Sequence, residues 1–200
     1  EYQFRLDEIE IGNYTDEEHL NVPMLARVTD NSGELRRILV LNNANAMWSD
    51  SAYRKDIFDG YFFAGHSVEE FTEHELAHFI TYEGCDTMKA CEVLDEKIKP
   101  MYTNGISRYA WMSKDGSETI AEAFVKKRQG CKINDEANRL LELYVEVWRI
   151  CFACVHYGHD NHSCPAYPDG IPDDVLFLRK RSDKDCGNEV GFKDRFKDNK

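Results

Sequence analysis

No apolar stretch of this chain approaches the roughly 18 residues that a membrane-spanning helix needs, so no span is expected. Nothing like a signal peptide is present either, but the chain opens on Glu1 rather than Met, so that lack excludes nothing about export. Basic residues are scarce: 25 Lys and Arg stand against 37 Asp and Glu, a net charge of −12. A surface of that sign repels phosphate backbones and anionic lipid, which excludes nucleic acid and an acidic membrane as main partners. It favours basic or neutral substrates. The cysteine density of a disulfide scaffold is also missing: seven cysteines are scattered over 200 residues, an odd number. Mostly free thiols in a reducing compartment are expected.

What is present reads as one domain with an appendage. Residues 1–165 have ordinary globular composition, whereas 166–200 are rich in Pro, Gly and charge, with an apolar island at 175–178. The latter segment reads as a polar arm packed on the domain. Charges balance from 169 to 200, with eight acidic and eight basic side chains, so the acidity belongs to the main body.

The first 43 residues predict β-structure. In "MLARVTDNSGELRRILVLNN" two β-prone runs flank a turn composition at Asp30, Asn31, Ser32 and Gly33, and "YQFRLDEIEIGNY" alternates enough to add a strand. Residues 44–66 predict a loop with a short helix. Ser67 followed by Glu70 is a capping pattern that opens a helix running to about Tyr82 and ending at Gly84. Residues 85–99 predict a second helix, 101–116 a loop, and 117–129 a third helix. The apolar spacing of 135–155 predicts one long helix with a buried face.

The first of these helices carries "FTEHELAHFI" at 71–80. Residues four apart share a helix face, so His74 and His78 can direct ring nitrogens at one ion. Glu75 sits one position round, suited to hold a metal-bound water rather than the metal. Zinc lowers the pKa of such a water towards roughly 7, and a carboxylate can then take its proton during attack on a carbonyl. A polar helix that spells the pattern by chance is the competing reading, and a third ligand would decide between them. "SETIAEAF" at 117–124 offers Glu118 and Glu122, four apart on a largely apolar helix. One could complete a metal site while the other supports a histidine; a solvated acidic face is the alternative. A carboxylate buried among Ile120, Ala121, Ala123 and Phe124 would need a cation or donors beside it.

"HELAH", then "SRY" at 107–109, then "ETIAEAF" at 118–124, resembles the gluzincin-like zinc peptidase domains typified by that of anthrax lethal factor. Related domains occur in bacterial toxins and prophage minor head proteins. The resemblance covers about residues 35–128 and is specific only in its three motifs. It implies an α+β, zincin-like fold: a small, mostly antiparallel sheet, a motif helix and a helical C-terminal part. It also implies that Glu118 is the third zinc ligand, that Glu122 supports the ligands, and that Tyr109 stabilises the oxyanion. In such domains an extended substrate adds to a sheet edge above the motif helix, and "GELRRILVLNN" is the candidate edge. The chain departs from the family pattern in having extra positions between Tyr109 and Glu118 and no acidic residue soon after His78.

A second cluster, "CFACVHYGHDNHSC", packs Cys151, Cys154, His162 and Cys164 into fourteen residues. A second, structural zinc ion, plain core packing, or a disulfide such as Cys154–Cys164 all remain open. The expected function is a zinc-dependent endopeptidase with one catalytic Zn2+ and a protein or peptide substrate. A cytoplasmic or phage-associated location is favoured over a secreted one. The alternatives are a non-catalytic phage or toxin recognition module retaining the zinc domain, or a hydrolase acting on another bond.

Overall fold

The computed structural model describes residues 4–17, 19–85, 87–146, 154, 156–158 and 163–171. Three strands open the chain: β1 (Glu8–Gly12), β2 (Met24–Asn31) and β3 (Glu34–Asn42). Ser32 and Gly33 alone connect β2 to β3, both at positive φ (58° and 89°). That is the backbone a two-residue hairpin turn needs to match strand twist, and Asp30 Oδ1 accepts from Gly33 N–H at 2.6 Å to hold it. The sheet order is β1-β3-β2, with β3 parallel to β1 and antiparallel to β2. The sheet is therefore mixed, its longer pairing antiparallel.

Helices follow: α1 (Ala46–Ser49), α2 (Ser51–Asp59), α3 (Val68–Thr81), α4 (Met88–Ile98), α5 (Arg108–Ser113), α6 (Gly116–Arg128) and α7 (Asp135–Leu141). The α+β class expected from the sequence is the class observed. An Asn, Asp, Ser or Thr side chain caps the N-terminus of every one of these seven helices. Each such cap satisfies a backbone donor that would otherwise be orphaned, worth about 1 kcal/mol. Two of the helices depart from the sequence reading. α5 forms inside the segment expected to be loop. The long helix from 135 is α-helical only to Leu141 and then widens into a π turn over Glu142–Glu146. Leu140, Leu141, Tyr144 and Val145 are all buried. Residues 147–153 lie outside the described residues.

α3 packs along α6, and the main core fills the space between them, α4 and α7 with Ala77, Leu94, Ile98, Ile120, Phe124 and Leu141. Gly116 permits the approach of α6 to α4: a Cβ there would lie 2.1 Å from the Ile98 carbonyl oxygen. A smaller cluster of Met24, Met47 and Phe71 joins β2 to α3. The sheet is fastened to the far end of α3 by buried Arg37, whose Nη2 donates to the carbonyls of Tyr82, Glu83 and Cys85 at 3.1, 3.3 and 2.8 Å. These carbonyls belong to the turn that follows α3, where Cys85 N–H also donates to the Tyr82 carbonyl at 3.0 Å.

Two isolated bridges, Gly158↔Ser163 and Cys164↔Tyr167, lead into the C-terminal arm, of which residues 166–171 are described, with Ala166 and Ile171 buried. Residues 172–200 lie outside the described residues. Among those described, no helix is long and apolar enough to cross a membrane.

Candidate metal centre

Helical periodicity puts His74 and His78 on successive turns of α3, and α6 runs alongside to bring Glu118 up from its first turn. His74 Nε2 lies 3.3 Å from His78 Nε2 and 3.1 Å from Glu118 Oε2, and His78 Nε2 lies 3.7 Å from Glu118 Oε1. Atoms that each sit about 2.0–2.1 Å from a tetrahedral zinc are about 3.3 Å from one another, which is the separation of the two histidine nitrogens; Glu118 meets each ring through a different oxygen, and one ligand atom from each of the three residues lies within 4.8 Å of the others. Among the described residues this is the one such group of three His, Cys, Asp or Glu side chains.

The donor chemistry fits a cation as well as the spacing does. His74 is buried, and its Nδ1 pairs with Glu122 Oε1 at 2.8 Å. That bond uses Nδ1 as donor and leaves Nε2 with a lone pair facing Glu118. Glu118 Oε2 is buried and makes no hydrogen bond of good geometry, although His74 Nε2 is only 3.1 Å away. Two lone-pair atoms this close need a positive centre between them. A metal ion or a proton on His74 can supply it. Burial disfavours a charged His74 ring, but the nearby carboxylates of Glu118 and Glu122 and the charge of Glu75 outweigh it and hold His74 well above its ordinary value. Burial likewise opposes the Glu118 charge, yet the His78 and His74 rings hold its carboxyl far below the usual range.

Glu122, 1% exposed, has a second partner: its Oε2 accepts from Ala64 N–H at 2.6 Å. The carboxylate thus joins α3, α6 and the segment before α3. Glu75 points the other way. Its Oε2 accepts from the backbone N–H of Ala26 at 2.7 Å. Burial pushes its carboxyl upward, against the lowering influence of His74 and His78. Tyr109, on α5, sets its ring 6.1 Å from that of His74, between centroids. Its phenol is pushed up by burial first, then by the carboxylates of Glu118, Glu75 and Glu122 and a hydrogen bond to Glu118. Between Tyr109 and Glu118 the chain completes α5, and Lys114 at φ 51° turns it straight towards α6.

The contact between Glu75 and Ala26 corrects the expectation for the substrate edge. β3 is the central strand, paired on both sides, so "GELRRILVLNN" cannot accept another strand. The strand beside α3 with one side unpaired is β2. Asn42 N–H bonds the Pro23 carbonyl, which makes residues 25, 27 and 29 the ones that exchange bonds with β3. Met24, Ala26 and Val28 therefore direct their backbone groups outward, and Ala26 meets Glu75. A cavity of about 100 Å3 opens between this strand and α3, walled by Val22, Pro23, Met24, Phe63 and Phe71, with His74, Glu75, Tyr109 and Glu122 at its polar side.

All six residues singled out from the three motifs thus converge: His74, Glu75, His78, Tyr109, Glu118 and Glu122. Half of the second cluster lies outside the described residues. Cys151 and His162 lie outside them, Cys154 is buried, and Cys164 is a free thiol, which removes a Cys154–Cys164 disulfide. Sequence reasoning missed Ala26 and Ala64, whose backbone amides do the work and leave no side-chain signal. It also missed Gln129, whose Nε2 donates to the Ala64 carbonyl at 2.9 Å. Its spacing of seven from Glu122 was the available clue.

No family model, no curated protein and no solved structure matches the chain. The functional reading therefore rests on the geometry of the site.

Proposed function

We propose that this protein is a single-zinc peptidase acting on an extended polypeptide segment. The observation that carries the proposal is the His74, His78 and Glu118 triangle, with one ligand atom from each residue within 4.8 Å of the others and a carboxylate and a phenol beside it. His74, His78 and Glu118 would hold the ion, which when bound supplies Lewis acidity towards a water and a carbonyl. Glu122 fixes the His74 ring so that Nε2 faces the ion. Glu75, beside the ligands but bonded to none of them, is the proton acceptor and later the donor to the leaving amine. Tyr109, kept protonated by its surroundings, donates to the oxygen on which negative charge develops. The outward backbone groups of β2 offer main-chain pairing to an extended substrate, and the apolar cavity beside them takes a side chain.

Metal analysis together with a protease assay tests this. About one zinc per chain is expected, lost in His74→Ala, with cleavage of an unfolded protein substrate that a chelator abolishes. Zinc without any hydrolysis would leave the site as part of a recognition module. Absence of zinc in protein purified without chelator would defeat both. Tyr109→Phe is expected to keep zinc and lower kcat about 10²-fold to 10³-fold, the usual loss for one oxyanion donor. Unchanged kcat in that variant would remove Tyr109 from the mechanism.

A further inference from the structure

Glu118 and Glu122 lie along one face of α6, and Gln129, the residue that caps the C-terminus of that helix, follows seven positions after Glu122. The metal site uses the first two. Gln129 is tied elsewhere: its Nε2 donates to the Ala64 carbonyl, while Ala64 N–H donates to Glu122 Oε2. Both backbone groups of one fully buried residue are therefore held by side chains of one helix. Residues 60–66 belong to no helix or strand, so no ladder fixes this segment.

The same segment is the support for Tyr109. The Phe62 carbonyl accepts from Tyr109 N–H at 2.8 Å, and the Phe62 and Phe63 rings lie 5.9 and 4.9 Å from the tyrosine ring. α5 has only six residues, too few to hold its own geometry. Its far end is tied by Lys114 into α6 and Ala110 is buried in the main core, while the backbone at its near end is held by the Ser107 cap and by Phe62, with the Phe63 ring beside it.

We propose that Gln129 is a positioning residue for Tyr109: with Glu122 it clamps Ala64, and the clamped segment keeps α5 and its phenol facing the metal ligands. This rests on the reading of Tyr109 as the oxyanion donor. One helix then sets both the ion, through Glu118, and the donor opposite it, through Ala64, so the separation of the two is fixed by α6.

The test uses the full chain loaded with zinc and the variant Gln129→Met, which keeps the stem and removes the donor. Amide exchange at Tyr109 is expected to accelerate about tenfold or more, with zinc stoichiometry unchanged. On a quenched fluorescent peptide, kcat is expected to fall about tenfold with KM unchanged, because small misplacements of a catalytic group are costly. In a Tyr109→Phe background the same substitution is expected to change kcat less than about twofold, since the two act as one unit. Gln129→Glu, of the same shape but without the donor, is expected to reproduce the loss should the methionine variant fold poorly. Unchanged exchange at Tyr109, or an equal loss of kcat in both backgrounds, would overturn the proposal. If the parent protein cleaves no peptide, the peptidase reading fails, while the exchange measurement still decides the clamp.

Discussion

Glu75→Gln is expected to bind one zinc per chain and to lose about 10³-fold in kcat, within the usual contribution of a positioned general base. The substitution is close to isosteric, and its amide oxygen can still accept from Ala26 N–H, the one hydrogen bond that anchors Glu75 in the fold. What it cannot do is take up a proton. Burial pushes the Glu75 carboxyl up from its ordinary value near 4.5, which makes the carboxylate a better base, while His74 and His78 moderate the rise. Single-turnover cleavage, zinc content and melting temperature should be measured on one preparation. Full cleavage by the variant would sink the assigned role. Loss of zinc or a large drop in melting temperature would show that Glu75 supports the fold instead.

Most of this site was readable before any coordinates because its parts are side chains on helices. His74 with His78 and Glu118 with Glu122 are four apart, and a helix puts such pairs on one face whatever surrounds them. The α3 start was equally legible: Ser67 Oγ accepts from Glu70 N–H, although the Glu70 carboxylate reaches back to His66 N–H rather than to Ser67. α5 was not legible because six residues carry too little periodicity to announce a helix, and only Ser107, accepting from Ala110 N–H, marks its start. Strand order escaped for another reason. β3 is the most apolar strand, which fits a central position as well as a substrate edge, and only the parallel partner β1 decides between them. Ile9 and Ile11 of β1 are themselves exposed, so no burial pattern in β1 pointed to that pairing.

Zinc affinity is expected to rise with pH from the ordinary histidine value near 6.5 up to the raised value of His74, by about tenfold per unit. The sign follows from the metal-free site. His74 Nε2 there carries a proton, held well above the ordinary value near 6.5 mainly by the carboxylates of Glu118 and Glu122 acting against burial. Zinc must displace that proton. Glu118, held far below its ordinary range, is already ionised and releases none. Stability of the metal-free protein should move oppositely: the raised His74 value contributes stability in full below about 6.5, lost as pH rises through the folded value. Glu118 contributes stability above its ordinary value near 4.5, lost only as pH falls towards its much lower folded value, so it is constant across this window. A ligand that binds only the folded state adds stability in proportion to the logarithm of its concentration over Kd. The melting-temperature gap between zinc-loaded and metal-free protein should therefore widen as pH rises. Competition with a chelator of known affinity and thermal melts at several pH values would measure both. Glu122→Gln sharpens the test: without its charge the His74 proton is held less tightly, so the pH dependence should flatten. Zinc affinity itself should drop about 10-fold to 100-fold, as expected for loss of the partner that orients a ligand. A zinc affinity independent of pH across that window would show that His74 is not the group the metal displaces a proton from, and the triangle would lose its central ligand.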